Sequence, residues 1–184
     1  MALERKKTLN VFREANEAWG SYDEFPVGPP GTDPMPHLSR NRVAQPFFCV
    51  SAADQVLIQM AGQGTIEFRD IEPSSMRLGP GDTVYIPAGV PSRIVPDGEV
   101  VQIRLKAEPP AKEAVAGYCA GCHELVHGHE LDEPVVQRGW ARAVAEFNAD
   151  AGLRTCGACG AVHPTVELGD IAWPAVADAI EAGG

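Results

Sequence analysis

The sequence predicts a mainly β protein: a small barrel with an N-terminal arm and a short metal-binding segment at its C-terminal end. Three observations carry this. Between about Pro46 and Lys106, short apolar runs alternate with Gly and Pro turns, as in Phe47–Val50, Val56–Met60, Thr83–Ile86 and Val100–Lys106. Several of these runs alternate with a period of two, as in Thr65-Ile66-Glu67-Phe68-Arg69, which suits strands with one buried face. Two C-x-x-C pairs follow, Cys119/Cys122 and Cys156/Cys159.

Taken in order, residues 1–36 predict a helix and an arm. Val11, Phe12, Ala15, Ala18 and Trp19 lie near helical spacing, and residues 20–36 are Pro-rich and aperiodic. Residues 37–110 predict the barrel. Closely spaced short strands mean a sandwich or a small barrel. In Val100–Lys106, the alternation of Val101, Ile103 and Leu105 predicts an edge strand whose Gln102, Arg104 and Lys106 face solvent. Residues 111–184 predict a module of two cysteine turns around a helix over 136–150, where Trp140, Val144 and Phe147 share one face. A last helix over 173–182 is anchored by Trp173.

The chain has 184 residues, 45% hydrophobic, with a formal charge of −10. Nucleic acids and anionic membranes call for a basic footprint, so neither is expected as a partner. Arg138, Arg142 and Arg154, the basic residues near the cysteines, sit among many acids. No stretch approaches the roughly 20 apolar residues of a membrane span. The N-terminus lacks the apolar centre of a secretory signal, which predicts a cytoplasmic protein with reduced cysteines.

Two C-x-x-C turns facing each other make a tetrahedral S₄ site, so Cys119, Cys122, Cys156 and Cys159 are the candidate ligands of one Zn²⁺, or of iron in a rubredoxin-like site. Gly121, Gly157 and Gly160 give the turns their freedom. A redox C-x-x-C would want a βαβ context, and disulfides an oxidising compartment. His123, His127, His129 and His163 lie nearby and are expected outside the ligand set.

The run from Gly79-Pro80-Gly81-Asp82 through Thr83–Ile86 to Pro87-Ala88-Gly89-Val90-Pro91-Ser92 resembles the second cupin motif, and Asp54–Gly64 the end of the first. With Tyr118-Cys119-x-x-Cys122 and Arg154-x-Cys156-x-x-Cys159-Gly160-x-x-His163-Pro164 added, residues 8 to 165 resemble the bacterial form of 3-hydroxyanthranilate 3,4-dioxygenase. The resemblance implies a double-stranded β-helix, a homodimer, a Cys₄ metal site away from the chemistry, and a barrel ferrous ion held by two histidines and a glutamate. The ligand positions depart from that pattern. The second-motif histidine falls on Ser92, the glutamate on Gln55 (or on Asp54 one register away), and the first histidine on Cys49. No histidine occurs between His37 and His123. A barrel Fe²⁺ is therefore not expected.

What remains is a barrel able to take a small aromatic or acidic metabolite. Arg40, Arg42, Arg93 and Arg104 are the candidate carboxylate binders, Arg104 standing where the family usually has a glutamate. If catalysis persists without redox metal, as isomerase, hydrolase or lyase chemistry, Asp54, Tyr85 and Ser92 are the candidates. The alternative is ring cleavage with unusual ligands. Cys49 reads as a small buried side chain with no histidine placed to activate it.

Overall fold

In a computed structural model that describes residues 8, 10–15 and 19–183, two antiparallel sheets form the barrel. The first holds β1 (Phe25–Pro26), β2 (Met35–Asn41), β9 (Val100–Lys106), β4 (Gln55–Ala61) and β7 (Thr83–Ile86), in that spatial order. The second runs β11 (Leu125–Leu131), β10 (Glu113–Tyr118), β3 (Phe48–Ser51), β8 (Ser92–Pro96), β5 (Gly64–Phe68) and β6 (Ser75–Leu78). Consecutive strands thus cross repeatedly between sheets, the pattern of a double-stranded β-helix.

Between the sheets lie Leu57, Ile66, Phe68, Leu78, Val84, Ile86, Ile94 and Val100, contributed by both. The outer face of the first sheet is covered as well. Leu38, Val101 and Ile103 pack there against Tyr22, Phe25 and Val27 of the arm and Val176 of the last helix. Gly62 makes the turn after β4 at φ 74°, where a Cβ would collide with the Glu99 carbonyl.

The helices are α1 (Val11–Glu14), α2 (Val136–Ala149) and α3 (Trp173–Gly183). The first is a single turn capped by Asn10; Ala18 lies outside the described residues. On α2, Trp140, Ala143, Val144 and Phe147 form one stripe, which packs on Phe47, Val115 and Trp173. Trp140 and Trp173 bring α2 and α3 together, with ring centroids 5.2 Å apart. The arm is tied to the tail by a bridge between Ser21 and Ile171.

Two expectations need correction. β9 is not an edge strand, because it pairs with β2 and β4. Its polar residues do not face solvent: Gln102, Arg104 and Lys106 are buried and share the side of Val100, toward the barrel interior. Apolar Val101 and Ile103 face outward, under the arm and α3. The Pro- and Ala-rich stretch before Cys119 is also more than a linker. Its second half is β10, which pairs with β3 and β11 and so carries the barrel sheet straight into the first cysteine turn.

Candidate functional site

The two cysteine turns are built alike. Cys119 N donates to Glu124 O at 2.8 Å and His123 N to Cys119 O at 2.9 Å; Cys156 N donates to Ala161 O and Gly160 N to Cys156 O, both at 2.8 Å. His123 (φ 66°) and Gly160 (φ 73°) occupy the same left-handed position in each. The four Sγ atoms lie within 4.8 Å of one another, with Cys119–Cys159 at 3.6 Å and Cys122–Cys156 at 3.5 Å. Zn–S bonds of about 2.3 Å in a tetrahedron put sulfurs about 3.8 Å apart, so the cluster has the size of a filled site. All five cysteines are free.

The electrostatics point the same way. N–H groups of Cys122 and Gly121, and then the His163 side chain, draw the Cys119 thiol down to about 5. Those of Cys159 and Ala158 lower Cys156. At Cys122 the Glu124 N–H pulls downward, but the neighbouring Cys156 thiol and burial outweigh it and push the group up to about 12. Four sulfurs this close cannot all ionise without a cation between them. They could hold a metal ion, and among the described residues they are the one such group of three or more His, Cys, Asp or Glu. His123, His127, His129 and His163 are outside it.

The barrel interior gathers charge of another kind. Arg104 donates to Gln55 Oε1 at 2.6 Å and lies 3.5 Å from Glu24 Oε1. Lys106 donates to Glu24 Oε2 at 2.7 Å and also pairs with Glu113. His37 Nδ1 is 3.8 Å from Glu24. Burial opposes the charge on Glu24, but Lys106 and Arg104 outweigh it and hold its carboxyl at about 2. Burial likewise opposes the charge of Lys106, yet Glu24 and Glu113 raise its pKa. Glu113, the more crowded carboxyl, is raised by burial. Beneath this network, Gln102 donates to Gln59 Oε1 at 2.7 Å and Ser39 to Gln102 Oε1 at 3.4 Å. Asp23 accepts from Gln45 and Trp173, both at 2.7 Å, and from Asn41 at 3.0 Å. Its burial nonetheless raises it to about 6.

These contacts sort the sequence candidates. Cys49, Gln55, Ser92 and Arg104 come together: Cys49 is the cross-strand partner of Ser92, Gln55 bonds Arg104, and Arg104 is among the charges felt by Cys49. Burial raises the Cys49 thiol far above its usual range. Asp54 does not join them. It sits at the surface, accepts from Ala88 N at 2.9 Å and from the exposed Tyr85 hydroxyl, and its pKa is lowered by the Ala88 bond. Of Gln55 and Asp54, Gln55 is the one whose side chain points inward, to Arg104. Arg40 and Arg42 pair with Glu99 away from the interior, and Arg93 pairs with Glu67 at 2.7 Å. Glu24, Lys106 and Glu113 escaped sequence reasoning. Glu24 sits in a Pro-rich arm and Glu113 in a Pro/Ala stretch, where no periodicity marks a side chain as buried.

No family model matches the chain. Curated proteins do. A 3-hydroxyanthranilate 3,4-dioxygenase of Yarrowia lipolytica is 26% identical over 147 residues, covering 78% of this chain and 80% of that protein. One of Ruegeria pomeroyi is 32% identical over 124 residues, covering 66% and 64%. The match to that of Shewanella woodyi, 33% identical over 90 residues, spans only 48% of its length. Among solved structures, a cupin-2 domain protein from Shewanella frigidimarina is 20% identical with a TM-score of 0.46, over 55% of this chain and 96% of that one. A hydroquinone 1,2-dioxygenase is 18% identical with a TM-score of 0.46, over 54% and 71%. The two-sheet barrel has the double-stranded β-helix arrangement of the cupin fold, and by sequence the chain resembles the 3-hydroxyanthranilate 3,4-dioxygenases.

Proposed function

We propose that this protein is a cupin of dioxygenase descent that has lost its barrel iron. It keeps one structural metal ion, zinc, on Cys119, Cys122, Cys156 and Cys159, and binds a small aromatic or acidic metabolite without iron-dependent ring cleavage. The supporting observation is the Arg104 guanidinium 2.6 Å from Gln55 Oε1. A fixed cation at the glutamate position repels a second cation, and Cys49 and Ser92 offer no imidazole in compensation. The residues present do not fit a ferrous ion. Chemistry based on Asp54 and Tyr85 finds no support either, since both face solvent away from the interior. A homodimer in the cytoplasm goes with this reading.

The test is elemental analysis of untagged protein together with oxygen uptake on 3-hydroxyanthranilate with added ferrous iron. The expected result is about one metal ion per chain, abolished by Cys119→Ser, and no oxygen uptake. A second equivalent of iron that survives Cys119→Ser and supports oxygen consumption would sink the reading.

A further inference from the structure

On the outer face of the six-stranded sheet, a cavity of about 220 Å³ lies between the barrel and the loop that follows Cys159. Phe48 and Tyr118 form its floor, edge to face with centroids 5.2 Å apart. Two guanidinium groups rest on these rings. Arg69 Cζ is 5.0 Å from the Phe48 centroid and 5.1 Å from that of Tyr118, and Arg93 Cζ is 4.8 Å from Phe48. Pro164 and Thr165 make the facing wall. The backbone explains this gathering. Phe48 and Arg93 are neighbours of Cys49 and Ser92, the interior cross-strand pair, so strand alternation turns them outward. Arg69 follows β5, held by its N–H to Pro91 O at 3.0 Å.

The two arginines differ in one respect. Arg93 is neutralised by Glu67. Arg69 has no ion-pair partner among the described residues, and its Nε is buried without a hydrogen bond. Contact with aromatic faces steadies a guanidinium but leaves its N–H donors unsatisfied. A buried donor left unpaired is destabilising, and an arriving carboxylate oxygen would satisfy it. In a chain of formal charge −10, this is a local cationic hollow with aromatic walls. Its volume is below the roughly 300–1,000 Å³ typical of drug-sized ligands, which limits the occupant to about one ring.

We propose that this cavity binds a carboxylate on a single planar ring, with Arg69 as the principal anion contact and Arg93 beside it. The assignment rests on the reading of the protein as a binder of small acidic molecules, and it moves the site from the barrel interior to the sheet's outer face.

Titration calorimetry on the metal-loaded full chain tests it, with benzoate and its neutral counterpart benzamide as probes. Benzoate is expected to bind at one site and benzamide at least about tenfold more weakly. Arg69→Gln should weaken benzoate at least about tenfold. So should Thr165→Glu, which sets a negative charge on an exposed wall residue and decides the matter if Arg69→Gln fails to fold. Arg42→Ala should leave binding unchanged. Benzoate binding that survives both cavity variants overturns this placement while leaving the small-acid reading intact. Absence of benzoate binding overturns the assignment too, and the iron-free reading then stands or falls on its own metal and oxygen measurements.

Discussion

The barrel interior and the cysteine cluster both collect polar side chains inside the protein, and they balance their charge in opposite ways. In the barrel, Arg104 and Lys106 meet Glu24 and Glu113, so each charge finds its counter-charge on another side chain. In the cluster, four sulfurs lie within 4.8 Å of one another, and no Lys or Arg ion pair is made to them among the described residues. The first arrangement is balanced by side chains alone; the second could hold a metal ion between its sulfurs. The two regions therefore differ in whether the protein's own side chains supply the balancing positive charge.

The largest effect should come from opening the cysteine cluster. Binding free energies on the order of 10 kcal/mol become folding free energy at such sites. Chelation or Cys119→Ser should lower the melting temperature by more than about 10 °C, read by circular dichroism against measured metal content. An unchanged melt in metal-free protein would remove the contrast between the two regions.

Next is the barrel. Glu24→Gln leaves Arg104 and Lys106 short of a buried counter-charge, and should cost about 3–5 kcal/mol in urea denaturation with the metal still bound. A loss under about 1 kcal/mol would mean that water reaches the network.

A subtler contrast lies in pH. Glu24 is lowered to about 2, so its contribution is present above 4.5, its unfolded value, and is lost as pH falls toward 2. Asp23 is raised from 3.8 to about 6, so its contribution is fully present below 3.8 and is lost as pH rises through 6. Between pH 4.5 and 6 the Glu24 effect is constant, while Asp23, and Glu113 raised in the same direction, lose theirs. The Asp23 contribution should fall there by up to about 2 kcal/mol. Asp23→Asn should flatten that slope, as urea midpoints at several pH values would show.

The smallest effect belongs to the surface. Arg42 pairs with Glu99 at 3.1 Å and reaches Asp170 at 4.0 Å, with about 40% exposure on each side. Arg42→Ala should shift stability by less than about 1 kcal/mol, and by less still in high salt.

The strands and the thiolate cluster were legible because each leaves a local mark: alternation over Thr65–Arg69, an apolar stripe on α2, and paired cysteines with glycines beside them. Fold class followed from the turn-and-strand rhythm around Gly79–Ser92. β9 shows where local marks stop. A period of two separates Val101 and Ile103 from Gln102 and Arg104, yet it does not say which set is inside. The usual assumption puts the apolar set there, and β9 reverses it because the arm and α3 give Val101 and Ile103 a second apolar layer. The polar set can then go inside because Glu24 meets it from the arm. Nothing near Arg104 in sequence announces that partner. Arg69 was missed for a related reason: the strand pattern placed it at a strand end, but the rings it covers come from β3 and β10.

The partnership of Glu24 and Lys106 also sets a timetable for synthesis. The two residues are 82 positions apart, and Asp23 and Trp173 are 150 apart. A nascent chain emerging from the ribosome therefore holds the acidic pair Asp23-Glu24 long before either partner is made. The Glu24 network waits for β9 and β10, and the Asp23 bond to Trp173 waits for the last helix. A truncated product starting at His37 would enclose Arg104 and Lys106 without Glu24, and one ending before Glu113 would lack both the second carboxylate and the strand that leads into the cysteines. Expression as separate halves should give insoluble material, and mixing the halves should restore it only when the segment bearing Glu24 is supplied.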